Sequence, residues 1–197
     1  TYRDERNNYI VSVDGIGTLV SGGQVQELVA LAPPRSPDDP LPQGSKEIYF
    51  ASNRSRVLTD KFTNGKLAGA LDTRRTEIVN TQKALDSLAY NMAMAVNAVH
   101  SKGYTNKKIP TNEMGEFEYG KIDEKVTGIN FFKTPEKLHR AAELIDLSDE
   151  LKESTNNIVS ALVPNRPGDN RVSLAISKLQ HEKFLDDGNA TLEEVYL

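Results

Sequence analysis

The chain has 197 residues, 24 Lys and Arg against 28 Asp and Glu for a formal net charge of −4, and neither Cys nor Trp. Without Cys, disulfides, thiol catalysis and Cys-ligated metals are excluded. No apolar run approaches the roughly 20 residues of a membrane helix, and scattered basic residues in an acidic chain give no phosphate-neutralising stripe, so neither membrane nor nucleic acid is an expected partner.

Tyr9, Val11 and Val13 alternate with neighbours on the opposite side up to Asp14-Gly15, and Thr18-Leu19-Val20 follows; this is the pattern of a β-hairpin or meander. The stretch from Gln24 to Leu31 fits a third strand or a helical turn. Pro33, Pro34, Pro37, Pro40 and Pro42, with Gly44, make 33–44 an exposed loop that can neither feed a ladder nor continue a helix. Ile48 and Phe50 then mark a short strand within 46–52. Residues 1–63 are thus expected to form a small β-rich domain.

After Asn64-Gly65, Leu71, Ile78, Leu85, Met92 and Val99 recur every seven residues, and Leu88, Ala89, Ala95 and Val96 widen the stripe in its second half. One helix over about 66–101 is expected, on the order of 50 Å long at 1.5 Å per residue. Its seam is Leu71, Ile78, Leu85, Leu88, Met92 and Val99, with Leu85 the most deeply packed leucine. The narrow apolar line of the first half resembles that of a rod with a helical partner. Arg74, Arg75, Glu77, Gln82 and Lys83 lie beside it as a candidate subunit interface, a solvated face being the plain alternative. Gly103 is expected to stop the helix as a C′ residue.

Residues 104–128 are polar and loop-like, and Ile129 to Phe132 are a short apolar patch. Thr134 as N-cap and Pro135 at the first helical position predict a helix to about Glu143. Leu144 to Leu147 reads as a strand, and Ser148 caps a turn or two through Leu151. Ile158-Val159 and Ala161 to Val163 are brief apolar runs; Pro164 to Gly168 breaks them. Asp169 caps a helix to about Phe184, Asp186-Asp187-Gly188 turns the chain, and Thr191 to Glu194 is a capping box. A helix started so near the end leads to the expectation of a fragment, cut where the helix continues. The expected fold is α+β: an elongated helical domain over 64–197, with a loop and short-strand excursion around 104–147, beside the small β domain.

Chemistry-bearing constellations are scarce. His100, His139 and His181 are far apart, without partners at ligand spacing, and read as surface or core residues. Gly15-Ile16-Gly17 lacks the third glycine of a dinucleotide fingerprint. The acids around Asp186 lack the alternation of a calcium loop, and Asp149-Glu150 and Glu193-Glu194 suit the positive ends of helix dipoles. No catalytic, metal or cofactor residues are assigned, and no enzyme activity is expected. A hydrolase using Asp or Glu, and a secreted helical adhesin or effector domain binding through the 33–44 loop and the Asn-rich turns, are the alternatives.

Several stretches together carry a resemblance: Gly65-Lys66-Leu67-Ala68-Gly69-Ala70-Leu71-Asp72-Thr73-Arg74, Leu85-Asp86-Ser87-Leu88-Ala89, Val96-Asn97-Ala98-Val99-His100-Ser101-Lys102-Gly103, Gly168-Asp169-Asn170-Arg171 with Leu174 to Gln180, and Ala190 to Tyr196. In order and combination they resemble the flagellar hook-associated protein 1 family, the first of two junction proteins between bacterial hook and filament. The resemblance implies an axial, structural subunit exported unfolded by the flagellar type III apparatus. It implies a ring of copies in contact with the hook protein and the next junction protein, helped by an export chaperone, located in the flagellum and extracellular, or periplasmic where the flagellum is internal. It further implies helices before Thr1 and after Leu197, and relatives with a long outer domain inserted between about Phe132 and Ile145.

Overall fold

The structure, a computed structural model, describes residues 1–41, 43–185, 189–191 and 194. It is an α+β fold with one long helix and small antiparallel sheets, and it divides into two compact units, Thr1–Thr81 and Gln82–Leu197.

In the first unit, β1 (Tyr2–Arg3), β2 (Tyr9–Val13), β3 (Gly17–Ser21) and β4 (Gln24–Val25) form an antiparallel sheet in chain order. The expected hairpin is β2–β3; Gly15, at φ +75°, supplies the left-handed residue its turn needs. The expected third strand divides. Gln26 N–H donates to Leu19 O as the last rung of this sheet, then Glu27 O accepts from Ala51 N–H, and β5 (Leu28–Leu31) pairs with β6 (Glu47–Phe50) in a second sheet. Leu58 is fully buried here, its N–H donating to Ile48 O, while Thr59 Oγ1 accepts from Ile48 N–H at 2.9 Å.

The proline-rich loop does not hang free. Arg35, its side chain only 7% exposed, pairs with Asp39 at 2.9 Å and with Glu47 of β6, and Arg74 approaches the same Glu47 at 3.6 Å and donates to Lys46 O at 2.6 Å. Pro42 lies outside the described residues.

The helix runs as α1 (Gly65–Thr73), a five-residue π segment (Arg74–Ile78) and α2 (Val79–His100). The π segment changes which side chains are inside. A π turn holds one residue more than an α turn, so everything beyond it is rotated by about 100° relative to an uninterrupted helix. Leu71 is buried as expected, but beyond it the buried positions are Val79, Ala89, Ala93, Asn97 and His100; of these Val79, Ala93 and His100, with half-buried Asp86, lie one residue beyond the heptad line of 78, 85, 92 and 99, and Ala89 and Asn97 fill the same face between them. Ile78 and Leu85 are 45% and 43% exposed, and Leu88, Met92 and Val99 are half-buried. Leu85 is therefore not the deepest leucine of the seam. Leu85→Ala should cost under about 1 kcal/mol in this chain, against the 2–5 kcal/mol typical of a buried leucine; urea denaturation measures it, and a loss above 2 kcal/mol would restore the uninterrupted heptad.

In the second unit, β7 (Tyr104–Thr105) pairs antiparallel with β8 (Val159–Ala161). Ile129, Leu151, Val159 and Val172 form the core, with Val99, Phe131 and Ile176 packed against it. Gly103 does not act as a left-handed C′ residue, because its φ is not positive. It is glycine for space: a Cβ there would lie 2.5 Å from Val159 Cγ1, 2.6 Å from Ala161 O and 2.6 Å from Val172 Cγ2.

Three sequence expectations are corrected in this unit. No helix starts at Thr134-Pro135; Phe132 instead bridges Leu147, Lys133 N–H donates to Asp146 O, and Thr134 Oγ1 accepts from Asn130 Nδ2. Helix α3 is only Ala141–Leu144 and enters through Arg140 at φ +63°. The strand expected over 144–147 shrinks to that one bridge. Ser148 does cap α4 (Asp149–Glu153), accepting from Leu151 N–H at 3.4 Å while donating to Asn130 O at 2.6 Å. The last described helix, α5 (Arg171–Lys178), is shorter than expected, ending in a 3-10 turn over Leu179–His181, and its N-cap is Asn170. Asp169, one residue earlier, accepts from the N–H groups of Leu162, Val163 and Arg171 and pairs with the Arg171 guanidinium, which holds its carboxyl well below the usual carboxylate range. The capping box forms reciprocally, Glu194 N–H donating to Thr191 Oγ1 and Thr191 N–H to Glu194 Oε2. Residues 186–188, the turn with calcium-like acids, lie outside the described residues.

Candidate functional site

The rotated seam of α2 presents polar side chains inward, and each satisfies loop backbone. Asp86 accepts Arg140 N–H on Oδ2 at 2.8 Å and Ala142 N–H on Oδ1 at 3.0 Å, capping α3 from another element. Asn97 Oδ1 accepts from Phe131 N–H and Phe132 N–H at 2.9 and 2.8 Å, and its Nδ2 donates to Phe132 O at 2.9 Å. His100, fully buried, donates from Nδ1 to Ile129 O at 2.7 Å and accepts on Nε2 from Val159 N–H at 3.0 Å. These partners assign the neutral Nδ1–H tautomer. Burial pushes the His100 pKa below its ordinary value, against the opposing bond to Ile129. Ala89 and Ala93 between them are small enough for the loops to approach.

Sequence reading missed this row, because its partners are backbone atoms 29 to 59 positions away. The available signal was the pattern Asp86, Ala89, Ala93, Asn97, His100, which puts small and polar residues alone on one helical line. The row is a clamp rather than a reaction centre. Both His100 nitrogens are engaged and no solvent reaches the ring, so it has no vacancy for a substrate proton.

The candidate interface residues have different environments. Arg74 and Arg75 are committed within their own unit, Arg74 to Lys46 O and Glu47, Arg75 to Asp60 at 2.8 Å. Glu77 and Lys83 are exposed and Gln82 half-buried. Elsewhere, an open pocket of about 300 Å³ is lined by residues that include Thr105, Lys108, Ala161, Asn165, Arg166 and Pro167. Among the described residues there is no group of three or more His, Asp or Glu placed to hold a metal ion, and no helix long and apolar enough to cross a membrane.

A comparison with curated proteins gives no match. Residues 1–114, more than half of the chain, match the family described as flagellar hook-associated protein FlgK helical domain. That stretch holds the β-rich segments, the whole long helix and the start of the polar loop after it. The chain belongs to the FlgK family of flagellar hook-associated proteins, axial and structural components of the flagellum.

Proposed function

We propose that the chain is a hook–filament junction subunit, which associates with further copies of itself in a ring and contacts the hook protein and the next junction protein. Export unfolded, with a chaperone, would place it outside the cell, or in the periplasm where the flagellum is internal. The observation that carries this reading is the apolar side chains left uncovered along the helix, Ile78 and Leu85, beside the exposed charges of Glu77 and Lys83. Large apolar residues uncovered together with polar neighbours are what a contact surface needs. With Arg74 held against Glu47 and Lys46 O, the proposed interface is Arg75, Glu77, Gln82 and Lys83 around Ile78 and Leu85. Photo-reactive residues at 77, 82, 83 and 85 in flagellated cells test it. Cross-links to a second copy or to hook protein in isolated flagella are expected; a protein that enters the flagellum yet cross-links at none of these positions would overturn the interface.

A further inference from the structure

We infer that the loop tip at Met114 is a docking knob for the Lys108 and Arg166 pocket of a second copy of this chain, a proposal that rests on the self-association reading above and names a surface for it. Met114 is 87% exposed, the most exposed of the chain's large apolar side chains among the described residues, and such a group standing in water gains from cover. The tip that carries it is held firmly. Asn112 Oδ1 accepts from Met114 N–H and Glu116 N–H at 3.0 and 2.9 Å, Asn112 N–H donates to Glu116 O at 3.0 Å, and Thr111 bridges Phe117 behind. Gly115, at φ +83°, closes the turn. A preorganised tip loses little conformational freedom on docking.

The occupant follows from charge. Glu113 and Glu116 flank Met114; Glu113 has no ion-pair partner among the described residues, and Glu116 Oε2 accepts from Asn112 Nδ2 at 2.9 Å. The pocket is the opposite. Lys108 and Arg166 line it without a carboxylate partner among the described residues, and no acid lines it. Ala161 and Pro167 give it apolar wall, and Asn165, bonded through its side chain to both Ile109 N–H and Ile109 O at 2.7 Å, keeps that side of the pocket in place. Its 300 Å³ can admit one unbranched side chain. The methionine thioether enters the pocket, and the two glutamates meet the two cations at its rim.

The lack of native Cys makes the test clean. Met114→Cys and Pro167→Cys are made in separate full-length chains, mixed at high concentration under mild oxidant, with sedimentation run in parallel. A mixed disulfide in excess of either same-variant product is expected. Adding Glu113→Lys and Glu116→Lys to the first chain should lower its yield about tenfold, and adding Lys108→Glu and Arg166→Glu to the second should restore it. Chains that associate on sedimentation without forming the mixed disulfide overturn this contact and leave self-association standing; chains that stay monomeric throughout overturn this contact and count against self-association as well.

Discussion

Gly103→Ala should lower the unfolding free energy by about 3 kcal/mol, the upper end of what an added methyl costs in a filled core. The reason is the nature of the obstacle. Two of the three atoms inside 3 Å of the new Cβ are valine methyls on Val159 and Val172, both buried, and the third is the carbonyl oxygen of Ala161 in β8. A side-chain tip could swing aside, but a strand carbonyl moves only with its strand. Relief would have to separate β7 from β8 or displace α5, which packs on β8. Gly69→Ala is the control: nothing lies within 4 Å of a Cβ there, and in mid-helix the change should stabilise by about 0.8 kcal/mol. Urea denaturation of both variants measures the pair; a cost below 1 kcal/mol at Gly103 would mean that its neighbours are not rigidly held.

His100→Leu should be costlier still, about 3–5 kcal/mol, since it strands two buried backbone groups, Ile129 O and Val159 N–H, each carrying the penalty of an unmade hydrogen bond. The same residue gives a pH dependence with a definite sign. Its folded pKa lies below the ordinary 6.5, so between the two values the unfolded chain binds a proton that the folded chain refuses. His100 therefore contributes its full stability above pH 6.5 and loses it as pH falls below that value, at up to about 1.4 kcal/mol per pH unit. Protonation also places a hydrogen on Nε2 facing the Val159 N–H, donor against donor. Denaturation at pH 7.5 and 5.5 should show the wild-type chain weakening more than the Leu variant; equal losses in both would show that His100 titrates freely in the folded chain.

Local patterns carried much of the architecture into view. Alternation and Asp14-Gly15 gave the β2–β3 hairpin, and heptad spacing gave a helix whose observed span, Gly65 to His100, differs from expectation by one residue at each end. The facing of that helix was hidden for a physical reason. A π turn has no compositional mark in Arg74 to Ile78, and the apolar heptad continues through it, so sequence periodicity and burial part company by one position. Thr134-Pro135 shows local signal losing to tertiary structure: a good cap and a good first residue, yet Asp86 on α2 captures the N–H groups that start the helix six residues later. Asp86, Asn97 and His100 were readable as residues but not as partners, since nothing local identifies which distant amides will need an acceptor. In the sequence Arg74 and Arg75 are charges beside a thin apolar line, and nothing local shows that their counter-charges, Glu47 and Asp60, lie in the β-rich segment.

The spacing of those clamps has a consequence for how the protein could change length. Asn97 fastens the chain at 131–132 and Asp86 fastens it again at 140–142, leaving seven residues between two fixed moorings on the same helix. Lengthening that interval alters neither attachment and adds only a slowly growing loop-closure term. The interval is a graft point: further chain could be spliced in there, anywhere from a few residues to a folded body of its own, without asking the scaffold beneath to rearrange.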